Sequence, residues 1–367
     1  MTEGRFIAII YASSLVLVGL MQTFIQTFSK KGYTLGVSIP KDMADTETMR
    51  QILKDYRLMS LTITIFLSLG QYFISYITNS VGFLTLFFFI SLGIISLPLI
   101  IYNKNLKNMT AGISQDKRKI IAIDKEEGKA DLRKIMAIFY GASLLIIILA
   151  SIILFINYDK IGDTLIMHTD FKGNVTDTAE KTRLSVFYPT LISLAILVMF
   201  YLINLMLIKV RLRIAIENPE LSLKNNLKAK KAWTYYLGLN AFVMTLLFEI
   251  GVNFLALKNN SFPLYVLTII TIILSIGGAI YLGIKVGTDG SRLDKMEDFS
   301  FEEDDKYWIL GSGFYNNPDD PTLFVAKRVG VGFTINIARP LGKLIMVITI
   351  AILIFAIVSL YKILFIV

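Results

Sequence analysis

Long apolar runs alternate with polar segments along this 367-residue chain. Each run is close to the roughly 20 residues that a helix needs to cross the hydrocarbon of a bilayer. Because a lipid-embedded segment must satisfy its own backbone hydrogen bonds, the runs predict helices. Eight transmembrane spans are expected, at 6–28, 58–78, 81–102, 135–157, 186–208, 234–257, 263–284 and 344–366.

The segment between the first two spans predicts structure of its own. "YTLGVSIP" is typical of extended chain, and Asp45 is placed to cap a following helix. Met49, Ile52, Leu53 and Tyr56 then give that helix one apolar face. Two interpretations stay open: a structured elbow that leads into span two, or a helix that docks a partner.

The segment before the last span is rich in glycine, aromatic and β-branched residues. Its "NNPDDP" stretch is typical of a turn, because proline fixes φ and Asn or Asp bonds its own backbone. These features predict a small hairpin-like module. Lys327, Arg328 and Arg339 are expected near the lipid headgroups.

Together these patterns predict the fold class: an all-α polytopic membrane protein of about eight transmembrane helices, with a small β-like cytoplasmic module before the last helix. The expected divisions are a three-helix unit, a helix–loop–helix unit, two further helices, the module and the last helix. Their boundaries are 1–134, 135–210, 211–287, 288–343 and 344–367.

Composition excludes a soluble protein. Hydrophobic residues make up 54% of the chain and charged residues only 18%, whereas soluble domains carry about 25% charged residues. Cysteine does not occur, which excludes disulfides, thiolate metal sites and cysteine nucleophiles. No cofactor is expected, and no metal site is the favoured expectation.

Basic residues are distributed unevenly among the loops. The loops 29–57, 103–134, 209–231 and 285–343 hold 30 of the 37 Lys and Arg residues. By the positive-inside rule these loops are cytoplasmic, so both termini of this cell-membrane protein are expected outside. Topology and contact with membrane lipids account for the net charge of +9, and no nucleic-acid partner is expected.

The chain has a single histidine, His168, in the loop between spans four and five, which the charge pattern assigns to the outer face. Asp170 and Asp177 follow it. Three interpretations stay open: a structural turn, a recognition surface, and a metal or catalytic site. The spacing of the three residues matches no metal signature, and the sequence holds no HExxH motif, so the first two are favoured.

Polar side chains also occur within the spans. Glu249 lies near the middle of span six, with Asn253 one turn away and able to hydrogen-bond to it. Span two carries a polar stripe that includes Ser68 and Gln71, and Gln71 is predicted at the same depth as Glu249. These residues predict either hydrogen bonding between helices or a polar cavity. We find no convincing internal repeat and no mid-span proline, which argues against a coupled transporter.

Two segments resemble known families. The region around spans four and five resembles domain of unknown function 1648 through Tyr158, Asp159, His168, Asp170, Gly173, Asp177 and Pro189. The region before the last span looks like domain of unknown function 5808 through Trp308, Gly311, Phe314, Tyr315, Asn317, Pro318, Asp320, Phe324, Val325, Lys327, Arg328, Gly332, Thr334 and Asn336. These resemblances imply an uncharacterised multi-pass protein of Gram-positive bacteria.

The first family also occurs in immunity proteins for a sporulation-delaying peptide toxin. That resemblance implies a non-enzymatic immunity or sensor protein that responds to an extracellular antimicrobial peptide at the outer face. Its cytoplasmic loops would report to, or hold, a transcriptional regulator. The alternative is a small-solute or lipid transporter that uses the intramembrane carboxylate.

Overall fold

A computed structural model of the chain describes residues 3–30, 32–78, 80–111, 120–123, 128–169, 175–210, 212–215, 218–253, 262–293 and 305–365. Long helices dominate it. In chain order, α1 to α8 are Glu3–Thr23, Glu47–Ile77, Val81–Thr110, Lys129–Ile156, Arg183–Lys209, Pro219–Leu246, Phe262–Ile272 with its continuation Gly278–Lys285, and Pro340–Phe365. A π-helical turn, Leu247–Val252, extends α6, and a second, Ile273–Gly277, joins the two parts of α7.

Short elements fill the connections. The strands β1 to β10 are Tyr33–Thr34, Val37–Ser38, Ile120–Ile123, Thr164–Thr169, Val175–Glu180, Leu212–Ala215, Trp308–Ile309, Phe314–Tyr315, Phe324–Ala326 and Phe333–Ile335. They form five two-stranded pairs within the described residues: β1–β2, β3–β6, β4–β5, β7–β8 and β9–β10. Short helical turns lie at Ile25–Phe28, Lys41–Ala44, Tyr158–Lys160 and Asp305–Tyr307.

The helices make this a multi-pass membrane protein. Among the described residues, α1 to α7 are long and apolar enough to cross a bilayer. The eighth predicted span coincides with α8, whose described apolar stretch is Pro340–Ile352. The prediction of no mid-span proline is wrong: α3 continues to Thr110, eight residues beyond the predicted end of the third span, so Pro98 lies well inside it.

The chain separates into two compact units. Unit 1 comprises Met1–Ala122, Arg213–Ser222 and Gly287–Val367, and unit 2 comprises Ile123–Leu212 and Leu223–Val286.

In unit 1, α1, α2 and α3 pack pairwise against one another. Helix α1 lies so close to α2 that a methyl group at Gly19 would come within 2.2 Å of the Thr64 side chain. Gln71 is fully buried, and its Nε2 donates to the carbonyl of Leu84 at 3.0 Å, which ties α2 to α3.

The first loop is a structured elbow. Helix α2 starts in this loop and runs on through span two, with Met49 and Tyr56 buried against the β1–β2 hairpin. The prediction of Asp45 as the cap is wrong by one residue: the Thr46 hydroxyl accepts a hydrogen bond from the Met49 amide. The elbow therefore buries the apolar face that would otherwise be available to a partner.

The hairpin-like module predicted before the last span consists of the pairs β7–β8 and β9–β10. Asn336 joins them because its Nδ2 donates to the carbonyls of Asn317 and Asp320, while its Oδ1 accepts from the Asn317 amide. Trp308, Tyr315 and Val325 form the small core of the module.

Arg328, expected near the lipid headgroups, is buried inside unit 1. Its side chain is only 2% exposed. The guanidinium pairs with Asp305 and lies over the rings of Tyr33 and Trp308, at 4.6 and 5.1 Å from their centroids. It also donates to the carbonyl of Gly36 at 3.3 Å. Arg328 therefore fastens the module to the β1–β2 hairpin.

A second ion pair of unit 1, between Lys30 and Asp289, should make the stability of the protein sensitive to acid. Burial alone would raise the pKa of Asp289. The Lys30 ammonium at 3.2 Å and the hydrogen bond from the Ser291 amide have the opposite effect, and together they hold this pKa below its usual range. A depressed carboxyl pKa adds stability above the unfolded-state value of about 3.9, and that stability is lost as pH falls further. We expect Asp289→Asn to flatten the acid limb of a melting-temperature profile between about pH 5 and 3.

The exposed Asp42 offers a matched control, because Asp42→Asn makes the same chemical change on the surface of the same unit. An acid limb unchanged by Asp289→Asn would contradict the contribution assigned to the Lys30 pair.

Unit 2 is built on α4 and α5, which pack along their length and are connected through the β4–β5 hairpin. Their shared core includes Tyr140 and Ile147 on α4 and Leu197 on α5. The π turn that extends α6 packs against α4, α5 and α7. Gly251 in this turn lies against the start of α7, where a methyl group would come within 3.1 Å of the Leu264 Cα.

Candidate functional site: a cavity around Glu249 in unit 2

The π turn of α6 carries the carboxylate that the sequence places in the middle of span six. π-helical turns within α-helices occur frequently at functional sites. Glu249 is 5% exposed, and its Oε2 accepts hydrogen bonds from Asn253 Nδ2 at 2.9 Å and from Thr190 Oγ1 at 3.1 Å. The first bond is the one that the four-residue spacing predicts. The second fastens α6 to α5.

The other carboxyl oxygen has no partner. Among the described residues, Glu249 Oε1 is buried and accepts no hydrogen bond. The hydroxyl of Ser193 is buried as well and lies close enough to the carboxyl to interact with it. A buried carboxyl oxygen without a donor costs about 1–3 kcal/mol, so the donor of a bound group would be stabilised there, in competition with the Ser193 hydroxyl.

A cavity of about 530 Å³ adjoins this carboxyl. Its lining residues lie on α4, at the end of α4, and on α6 with its π turn: Ile146, Leu149, Ala150, Ile153, Leu154, Asn157, Lys160, Glu249, Ile250 and Asn253. Most of these side chains are aliphatic. Ligand cavities in proteins are of this size and combine apolar walls with a few polar groups.

The rim at the end of α4 is polar. Lys160 is exposed, and its ammonium donates to Asn157 Oδ1 at 3.1 Å. Asn157 Nδ2 in turn donates to the Ile153 carbonyl at 2.9 Å. The cavity thus has a cation at its mouth and a carboxylate at its wall.

The β4–β5 hairpin follows this rim directly. Its base is fixed by Lys181, whose ammonium donates to the Ile161 carbonyl at 2.9 Å and lies 5.0 Å from the centre of the Tyr158 ring. Leu165 and Val186 are buried in the small core beneath it. The hairpin is therefore anchored to the end of α4 at which the cavity has its polar rim.

The structure brings some of the predicted site residues together. The hairpin register places His168 opposite Asp177, whose side chain is exposed. Asp170 lies outside the described residues. Among the described residues, no group of three or more His, Asp and Glu side chains could hold a metal ion.

Ser68 and Gln71 belong to unit 1, whereas Glu249 and Asn253 belong to unit 2. Both residues of the first pair are buried, and Ser68 Oγ and Gln71 Oε1 have no partner among the described residues. The candidate site is therefore built from the second pair together with Thr190, Ser193 and Lys160, which the sequence did not single out. The polar positions Thr190 and Ser193, three residues apart in span five, were the available signal.

Comparison with known proteins gives one local match. A family of unknown function (DUF5808) matches residues 318–343, which is 26 of 367 residues. The match covers β9, β10, the buried Arg328 and the first residues of α8, and so supports the predicted C-terminal resemblance. No curated protein and no solved structure matches the chain. The resemblance to domain of unknown function 1648 stays a prediction.

Proposed function

We propose that this multi-pass membrane protein is a non-enzymatic immunity or sensor protein that binds a membrane-active peptide in the unit 2 cavity. The observation that carries the proposal is a buried carboxyl with an unpartnered oxygen beside a largely aliphatic cavity of about 530 Å³. Such a cavity suits an amphipathic segment with an apolar face and a cationic hydrogen-bond donor, which is the composition of membrane-active peptides.

The distribution of basic residues supports the direction of binding. Under the positive-inside rule, the hairpin between α4 and α5 and the adjoining rim at Lys160 face outside. A peptide would then reach the cavity from the outer leaflet, with the hairpin as part of its recognition surface. The basic cytoplasmic loops contact anionic lipid and would hold or release a transcriptional regulator.

A deletion strain tests the proposal. Loss of the gene should make cells several-fold more sensitive to at least one peptide of a panel of secreted membrane-active peptides, and the wild-type gene should restore resistance. Glu249→Gln should fail to restore it, because an amide cannot form the same charge-assisted hydrogen bond. Glu220→Gln, the same change at an exposed residue in the first turn of α6, should restore it fully.

Unchanged survival of the deletion strain across the whole panel would count against the immunity or sensor function. Equal protein levels for each variant in the membrane fraction are the necessary control.

The second candidate function is transport of a small solute or lipid. Helix irregularities favour it: the π turn that carries Glu249 extends α6, and a second π turn, Ile273–Gly277, interrupts α7. Interrupted helices and intramembrane carboxylates both occur at the substrate sites of transporters. Flux across proteoliposomes that is lost in Glu249→Gln, together with peptide sensitivity that does not depend on the gene, would select this candidate.

A further inference from the structure

We infer that the ligand of the unit 2 cavity is a zwitterionic amphiphilic segment, with an ammonium at Glu249, an aliphatic chain along α4 and an anionic group at Lys160. The inference rests on the proposed function and names the chemistry of the peptide segment that enters.

The ammonium group of the ligand is inferred from the buried oxygens at Glu249 that have no hydrogen-bond partner in the described part of the chain. Glu249 Oε1 is a buried acceptor without a donor among the described residues, and Ser193 Oγ is a buried hydroxyl, able to donate or accept, that has no partner there either. Thr190 and Asn253 already donate to Glu249 Oε2, so the carboxyl is oriented before any ligand arrives. A primary ammonium has three N–H donors and no acceptor, and it offers a charge-assisted bond to the free carboxyl oxygen.

The aliphatic part of the ligand is inferred from the apolar residues that line the cavity. The lining residues of α4 extend from Ile146 to Asn157, which at the helical rise is a length of about 16 Å. Leu149, Ile153 and Ile250 line the cavity and are exposed, with accessible fractions of 50%, 52% and 44%. An extended aliphatic chain would cover this apolar surface. A purely apolar lipid chain would cover it as well but would leave Glu249 Oε1 unsatisfied.

The anionic group of the ligand is inferred from Lys160 at the opening of the cavity. Lys160 is the cationic lining residue there, and its ammonium is held by Asn157 Oδ1 at 3.1 Å. An exposed ion pair contributes little affinity, at most about 1 kcal/mol, so this end of the ligand orients the chain rather than anchoring it.

Equilibrium dialysis of the purified full-length protein in lipid nanodiscs tests the inference. The probe is ω-aminododecanoate, with dodecylamine and dodecanoate as probes that lack one charge, and empty nanodiscs to subtract partitioning. The zwitterion should bind saturably and most tightly. Glu249→Gln should weaken its binding about 10- to 100-fold. Lys160→Gln should weaken it by no more than about fivefold, and Glu220→Gln should leave it unchanged.

Two results would overturn the inference. One is equal binding of dodecanoate and ω-aminododecanoate, which would show a simple lipid groove. The other is binding that is insensitive to both Glu249→Gln and Ala150→Phe. The second variant fills the cavity without altering the carboxyl, so it keeps the test valid if Glu249→Gln does not fold.

The failure of this inference is separable from the failure of the proposed function. Peptide protection that depends on the gene, in a protein that does not bind the zwitterion, would overturn the ligand chemistry alone. Saturable binding that depends on Glu249, in a strain whose deletion changes no peptide sensitivity, would support the site and overturn the immunity function.

Discussion

Replacement of Arg328 by methionine is expected to destabilise unit 1 by about 2–4 kcal/mol. Removing one partner of a buried ion pair costs about 3–5 kcal/mol, because the remaining charge is left uncompensated. Here Asp305 is 26% exposed, so water offsets part of that cost. The loss of stacking on Tyr33 and Trp308 adds to it, since each cation–π contact contributes about 0.5–2 kcal/mol.

The expected result is a lower melting temperature in detergent and faster proteolytic cleavage within 305–339. Arg328→Lys should recover only part of the loss, because an ammonium keeps the charge but lacks the planar fork of donors. Lys327→Met is the matched control: it removes a neighbouring cation that is half-buried. If Arg328→Met melted at the same temperature as Lys327→Met, the fastening role of Arg328 would be wrong.

The membrane helices were predictable because their signal is local. Lipid requires about 20 apolar residues in succession, and this requirement appears directly in the sequence. The ends of the helices were less predictable, because polar residues can continue a helix beyond the lipid. Helix α2 begins at Glu47, 11 residues before the predicted span, and α3 continues past Pro98 to Thr110.

The candidate site was predictable only within one helix. Asn253 bonds to Glu249 because residues four apart share a helix face, so spacing alone finds this pair. Thr190 lies 59 residues away, and its bond to Glu249 depends on how α5 packs against α6. The burial of Arg328 has the same origin, since Tyr33 beneath it is distant in the sequence. The periodic pattern of hydrophobic and polar residues cannot identify pairs that are so far apart in the sequence.

Gly36→Ala is the second change expected to have a large effect, because Gly36 combines two constraints. Leu35 and Gly36 form the tight turn between β1 and β2 with φ values of +46° and +83°. A side chain in this left-handed region costs about 1–2 kcal/mol. In addition, a methyl group at Gly36 would lie 2.5 Å from the Ser312 hydroxyl and 2.6 Å from a Val329 methyl.

Gly332→Ala distinguishes the effect of the positive φ from the effect of the missing space for a methyl group. Gly332 has a φ of +104°, but no atom lies within 4 Å of a methyl group placed there. Its substitution should therefore carry only the conformational cost of about 1–2 kcal/mol. Gly36→Ala should cost about 1–3 kcal/mol more, because overpacking must push the hairpin away from the module. Thermal unfolding of both variants in the same detergent measures the difference. Equal melting temperatures would mean that the hairpin and the module do not pack closely at Gly36, and the fastening through Arg328 would lose its geometric basis.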